Sequence, residues 1–263
     1  MNPSRPAGPW VGHVDPGANL GRVKMSRRQR TAGHLVGVVH LDEVWYPLVP
    51  GNVVNASTFG FPVRYQCVEG VDIPALFGPA RRDVSAAIIS ACQELEGEGV
   101  RAISSACGYF GFYQRQVAQA VNVPVGLSSL VQIPWVASLI GPSRGIAVLT
   151  ADATALEPEL WEACGIHDQS RLVVGGLQEA PEFSAILEGR GEFNNEAVRD
   201  EAVALACRLT SQGNVGAVLL ECSDLPPYSA AIQAAVGLPV FDFTTLIRFL
   251  HSAVAQQPYG GFI

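Results

Sequence analysis

Apolar residues along the chain come in short unbroken runs and in helically spaced sets, and the two patterns alternate. His34–Leu41 contains LVGVVHL, a run rich in β-branched residues that predicts a buried strand. Val63–Val68, Val100–Ser104, Ile146–Thr150, Leu172–Val174 and Val215–Leu220 predict further strands. Between them, Asp83–Glu96, Gln114–Val121, Glu196–Gln212 and Ser229–Val236 predict helices, the first ended by Gly97 and Gly99. Strands alternating with helices at this spacing predict parallel βαβ units. The stretch from Trp45 to Phe61 breaks the pattern with Pro47, Pro50, Gly51, Asn52, Asn55 and Gly60. It predicts a long loop, and a loop of this length within a compact domain is more often functional than decorative.

The pattern occurs twice. A shift of 115 positions (222 − 107) lays Ala87 on Ala202, Cys92 on Cys207, Val100 on Val215 and Cys107 on Cys222 without a gap. Tyr113 then meets Tyr228, and Pro124–Val125 meets Pro239–Val240. The expected fold class is therefore α/β: two Rossmann-like parallel-sheet halves related by a pseudo-twofold axis, with the active site in the cleft between them. Residues 33–133 plus 240–263 are assigned to the first half, 134–239 to the second, and 1–32 to an N-terminal arm.

Charge narrows the partners. The formal net charge of −7 disfavours nucleic acid and anionic membrane, both of which call for a basic surface. Arg5, Arg22, Lys24, Arg27, Arg28 and Arg30 stand in the arm against the single acid Asp15, so the body is more acidic than the total. The arm reads as solvated, or as packed on a neighbouring subunit. Lys24 is the only lysine, which excludes chemistry that needs a buried amine at the active centre, such as a Schiff base. The apolar stretch Val123–Ile140 is broken by Pro124, Ser128, Ser129, Gln132 and Pro134, and predicts buried elements and no membrane span. With no apolar signal core at the N-terminus and six scattered cysteines, the expected location is a reducing cytoplasm.

Four of those cysteines, Cys67, Cys92, Cys164 and Cys207, read as core residues, the usual fate of a free cysteine. Cys107 and Cys222 differ, because each follows a predicted buried strand and precedes a helix in its half. Ligands of open α/β sheets bind outside the carboxyl ends of the strands, so a pseudo-twofold would set one thiol on each side of a bound molecule. A helix N-terminus there is expected to lower the thiol pKa and to hold a substrate carboxylate. One thiolate would remove an α-proton while the opposite thiol donates to the other face, with no cofactor and no metal. Glu221, beside Cys222, is expected by strand alternation to point to the opposite face. His40, Asp42 and Glu43 lack the further ligands a metal site needs, and GLSSL at 126–130 lacks the second glycine of a nucleophile elbow.

The segments GVVHLDEVWYPLVPGNV (37–53), SSACGYFGFYQ (104–114), LIGPSRGIAVLTAD (139–152) and LLECSDLPPYSAAIQAAVGLPVFD (219–242) resemble the aspartate/glutamate racemase superfamily. The resemblance implies catalytic roles for Cys107 and Cys222. It also implies substrate contacts from Asp42, Asn52, Gly108, Tyr109, Ser128, Ser129, Thr150 and Ser223, and a homodimer or higher homo-oligomer acting on a small carboxylate. Amino-acid racemases of that superfamily commonly carry Asn-Thr after the first cysteine and Thr after the second. Here Gly108-Tyr109 and Ser223-Asp224 stand in those places. The Cys-Gly-aromatic motif and the proline-rich loop bring the chain at least as near to the algal dimethylsulfoniopropionate lyase branch. Three functions follow: an Asp/Glu-type racemase or isomerase first, a β-eliminating lyase using the same cleft second, and a non-catalytic small-carboxylate-binding protein third.

Overall fold

The computed structural model describes residues 27–257 and 259–263. Most of the N-terminal arm, Lys24 included, therefore lies outside the described residues. Two four-stranded parallel sheets form the body. In the first, β1 (Val36–Leu41) pairs with β2 (Val63–Val68) and with β3 (Ala102–Ser105), which pairs with β4 (Val125–Gly126). In the second, β5 (Gly145–Thr150) pairs with β6 (Leu172–Gly176) and with β7 (Val215–Leu220), which pairs with β8 (Val240–Phe241). The strand orders β2-β1-β3-β4 and β6-β5-β7-β8 are the same, so each half turns its order around between its first and third strands.

The central strands are buried on both faces, which explains their unbroken apolar sequences. In the second sheet, Ala147, Leu149, Val218 and Leu220 face one way, onto Val198, Ala202, Leu205 and Leu209 of α7 (Asn195–Thr210). Ile146, Val148, Ala217 and Leu219, one residue out of phase, face the core of the first half. They meet Leu160 and Trp161 of α5 (Pro158–Ala163) and Phe110 of the 3₁₀ turn Gly108–Tyr113. The two halves thus share one apolar core at the level of the cysteine turns.

The repeat does not stay gapless through the first two strands of each half. Cys107 and Cys222 keep the 115 offset, while β1 and β5 begin 109 apart (145 − 36), as do β2 and β6 (172 − 63). The second half accommodates the difference in the connection that includes α6 (Ser184–Glu188). Because β8 pairs with β7, the second sheet runs to Phe241, two residues past the expected boundary at 239. Helix α9 (Phe243–Val254) then crosses back, laying Phe243 and Ile247 against Val36 and Val38 of β1. Its start, with Asp242 and Thr245 in a capping box, is a sequence signal that the strand–helix count passed over. The stretch Val123–Ile140 resolves into β4, a 3₁₀ turn and α4 (Ile133–Leu139). Among the described residues no helix is long and apolar enough to cross a membrane.

Candidate active site

Cys107 leaves β3 in an extended conformation and opens the turn Gly108–Tyr113. Its backbone is fixed from behind by Ser105, whose hydroxyl donates to Leu127 O and stands 3.0 Å from Cys107 O. Cys222 follows the end of β7 at Leu220 and lies in a bend ahead of the 3₁₀ turn Pro226–Tyr228. Both thiols are nearly buried, at 7% and 8% exposure, and both line one inner cavity of about 30 Å³. That volume admits about two waters, so the cleft is closed in this structure. Gly108, Tyr109, Ser223, Asp224, Glu221 and Tyr46 complete its polar wall. Outside lies a vestibule of about 540 Å³, lined by Asp42, Glu43, Asp72 and Glu188 with Trp45. Tyr46, Ile73, Ile186 and Leu187 line both spaces and form the partition between them. No Lys, Arg or His lines either one among the described residues.

Asp224 is the best-held acid of the site. The Cys222 Sγ–H donates to its Oδ2 at 3.5 Å, the Tyr46 hydroxyl donates to Oδ2 at 3.2 Å, and Asn52 Nδ2 donates to Oδ1. The amide orientation of Asn52 is set because its Oδ1 accepts the Val54 N–H at 2.9 Å. This reach across 172 residues depends on the long loop docking against the turn after Cys222. Gly51 makes the docking possible: its φ is +101°, and a Cβ there would come within 2.7 Å of Pro227 Cα. Gly51→Ala is expected to cost about 1–3 kcal/mol in urea unfolding, through left-handed strain and overpacking, and to detach Asn52 from Asp224.

Burial governs the electrostatics. The Cys107 thiol receives N–H groups from Tyr109 and Phe110, but burial outweighs them and pushes its pKa up to about 12. Cys222 is also raised well above its ordinary value, by burial first and then by the charges of Asp224 and Glu221. The expected lowering by a helix N-terminus is therefore corrected: desolvation wins at both thiols. Burial likewise raises Asp224 to about 6 and Glu221 to about 7, against the hydrogen bonds that favour their ionised forms.

The expected site residues divide into two sets. Cys107, Gly108, Tyr109, Cys222 and Ser223 line the inner cavity, and Asp42 lines the vestibule, its carboxylate accepting Gly70 N–H at 2.7 Å. Asn52, Ser128, Ser129 and Thr150 do not line either space. Ser128 Oγ accepts Leu130 N–H, Ser129 Oγ donates to Leu220 O at 2.7 Å, and Thr150 Oγ1 donates to Glu221 Oε2 at 2.7 Å. These four hold backbone or the acids behind the cavity. Glu221 is a second correction, because alternation stops where β7 ends at Leu220 and the side chain lies against Gly108 on the cavity wall. Tyr46, Glu221 and Asp224 escaped the assignment of site residues; the only signal for them was their closeness in sequence to Cys222 or to the proline-rich loop.

Known proteins extend this picture. Dimethylsulfoniopropionate lyase 7 of Emiliania huxleyi is 31% identical over 240 residues, covering 86% of this chain and 69% of its own length. A dimethylsulfoniopropionate lyase of Durusdinium sp. clade D is 31% identical over 233 residues, covering 86% of this chain and 77% of the relative. The chain belongs to the dimethylsulfoniopropionate lyase family. It spans 61% of the length of some members, among them Emiliania huxleyi lyase 3, at 32% identity over 235 residues. No protein-family model matches the chain. Among solved structures, the fold of this lyase-family chain matches Picrophilus torridus aspartate racemase (TM-score 0.55, 15% identity, 85% of this chain and 94% of that one). It also matches unliganded arylmalonate decarboxylase (TM-score 0.53, 13% identity, 85% and 94%). At such identities the likeness is one of fold, that of the aspartate/glutamate racemase superfamily.

Proposed function

We propose that this member of the lyase family eliminates dimethyl sulfide from dimethylsulfoniopropionate, or from a closely similar onium carboxylate, with Cys222 as the base. The observation that carries this reading is the charge of the cleft. Acids line both the inner cavity and the vestibule, and no cationic side chain faces either among the described residues. A dicarboxylate such as aspartate or glutamate would bring its second carboxylate among these acids without a counter-ion. A zwitterion with a sulfonium group brings its own cation.

That cation also answers the high thiol pKa. Two unit charges 5 Å apart at an effective dielectric of about 20 attract by about 3 kcal/mol, which is roughly two pKa units. Asp224 accepts the Cys222 thiol proton, and the thiolate takes the substrate's α-proton. The C–H electron pair becomes the new C=C bond, and the C–S pair leaves on sulfur. The products are acrylate and dimethyl sulfide, with one proton released. Asp224 must be ionised for its step, so kcat/KM is expected to rise with pH through about 6.

Two thiols in equivalent positions on one cavity support a second reading, racemisation or isomerisation at the α-carbon of an amino acid by a two-base exchange. Proton NMR in D2O under reducing conditions separates the two. Incubation with dimethylsulfoniopropionate is expected to give alkene signals of acrylate. Loss of the α-proton signal of aspartate or glutamate, without any alkene, would replace the lyase reading with the racemase one.

A further inference from the structure

Among the described residues, two buried side-chain oxygens have no hydrogen-bond partner: the Tyr109 hydroxyl and Glu221 Oε1. Unpaired buried polar atoms are costly and rare in folded proteins. Both of these residues line the inner cavity between the two cysteines, one from each half of the molecule. We infer that Tyr109 and Glu221 form a paired donor site for the substrate's carboxylate, with Glu221 serving as a neutral acid that donates through Oε1–H. The inference deepens the lyase reading by naming what holds the carboxylate.

The hydrogen bonding assigns the proton. Glu221 Oε2 accepts from Thr150 Oγ1 at 2.7 Å, so Oε2 is the acceptor oxygen and Oε1 is left to carry the hydrogen. Gly108 leaves room for Oε1, since a Cβ at that position would overlap it. Burial disfavours the Glu221 anion, against the Thr150 hydrogen bond that favours it. Cys107 and Tyr109 face it from the turn after β3, Cys222 and Asp224 from the turn after β7, Cys164 from the end of α5, and Asp152 acts on Tyr109. None of these is a cation. Burial holds Glu221 neutral up to about pH 7. Two neutral donors in a narrow, buried cavity suit a carboxylate whose oxygens gain charge as the α-proton leaves.

Propionate serves as the probe, because it has the carboxylate without the leaving group. Its affinity should be measured calorimetrically from pH 5.5 to 8.5 on the wild-type protein, Glu221→Gln, Glu221→Leu and Tyr109→Phe, alongside elimination rates. Wild-type affinity is expected to fall as pH rises through about 7, where Glu221 loses its proton. Glu221→Leu is expected to weaken propionate roughly 10- to 100-fold, the loss of a hydrogen bond to a charged group. Glu221→Gln keeps a donor, so it should bind within a few-fold of wild type at pH 6 and lose the fall centred near 7. Any fall near 6, belonging to Asp224, should persist in it. Unchanged affinity in Glu221→Leu, an unaltered pH profile in Glu221→Gln, or no propionate binding by the folded wild-type protein would each overturn the donor site. Propionate binding as described, with no elimination of any onium carboxylate, would sink the lyase reading and leave the donor site standing.

Discussion

Cys222→Ala is expected to lower kcat/KM for elimination by about 10³-fold, and Cys107→Ala by clearly less. Positioned acid–base groups contribute roughly 10²- to 10⁴-fold. Elimination needs one base on the substrate and no acid on its other face, because the sulfonium departs as a neutral sulfide without a proton. Of the two cavity cysteines, Cys222 is the one with a carboxylate hydrogen-bonded to its thiol, and Asn52 and Tyr46 lock that carboxylate in place. Cys107 has backbone N–H donors and no acidic hydrogen-bond partner. Rates should be followed by dimethyl sulfide release, with circular dichroism to verify that both variants fold. Equal and complete loss in both variants would indicate that each thiol is essential, as two-base racemisation requires. Full activity in Cys222→Ala would remove it as the base.

Gly108→Ala is expected to lower the elimination rate by about 10²-fold while the chain still folds. An added Cβ would lie 2.8 Å from the Glu221 carbonyl oxygen and would overlap the Glu221 carboxyl group. The contact with the carbonyl is with backbone, so relief requires the turn after β3 and the turn after β7 to separate. Those turns carry the two cysteines, and a misplacement of about 1 Å at reacting groups can cost about 10²-fold. Overpacking of a buried contact costs typically about 1–3 kcal/mol, readable as a lower urea midpoint. Wild-type turnover in Gly108→Ala would show that the two turns can separate without harm to the chemistry.

Some of this molecule was legible before any coordinates. The central strands were readable because such strands of parallel sheets are apolar on both sides, and β7 falls on its expected bounds. Cys107 and Cys222 stood out because duplication marked them twice, at strand ends where α/β sheets bind ligands. Short elements were not readable. Helices α1 (Ile73–Leu76) and α6, which supply Ile73, Ile186 and Leu187 to the partition, span four and five residues, too few for a helical period to register. Asn52 was singled out as a substrate contact, but it sits behind the cavity holding Asp224.

By itself, the sequence determined the alternation of strands and helices, the doubled architecture and the two thiols at matching strand ends. These are local or periodic properties, set by side-chain polarity and backbone preference along a few residues. Tertiary structure alone decided what surrounds the thiols. It brought Asn52 to Asp224 across 172 residues, and turned Glu221 onto the cavity wall where strand alternation had ended. It also set the balance at Cys107, where backbone donors and burial pull in opposite directions and burial prevails. Desolvation is the sum over every atom packed around a group, and those atoms come from both halves of the chain, so no stretch of sequence near Cys107 contains it.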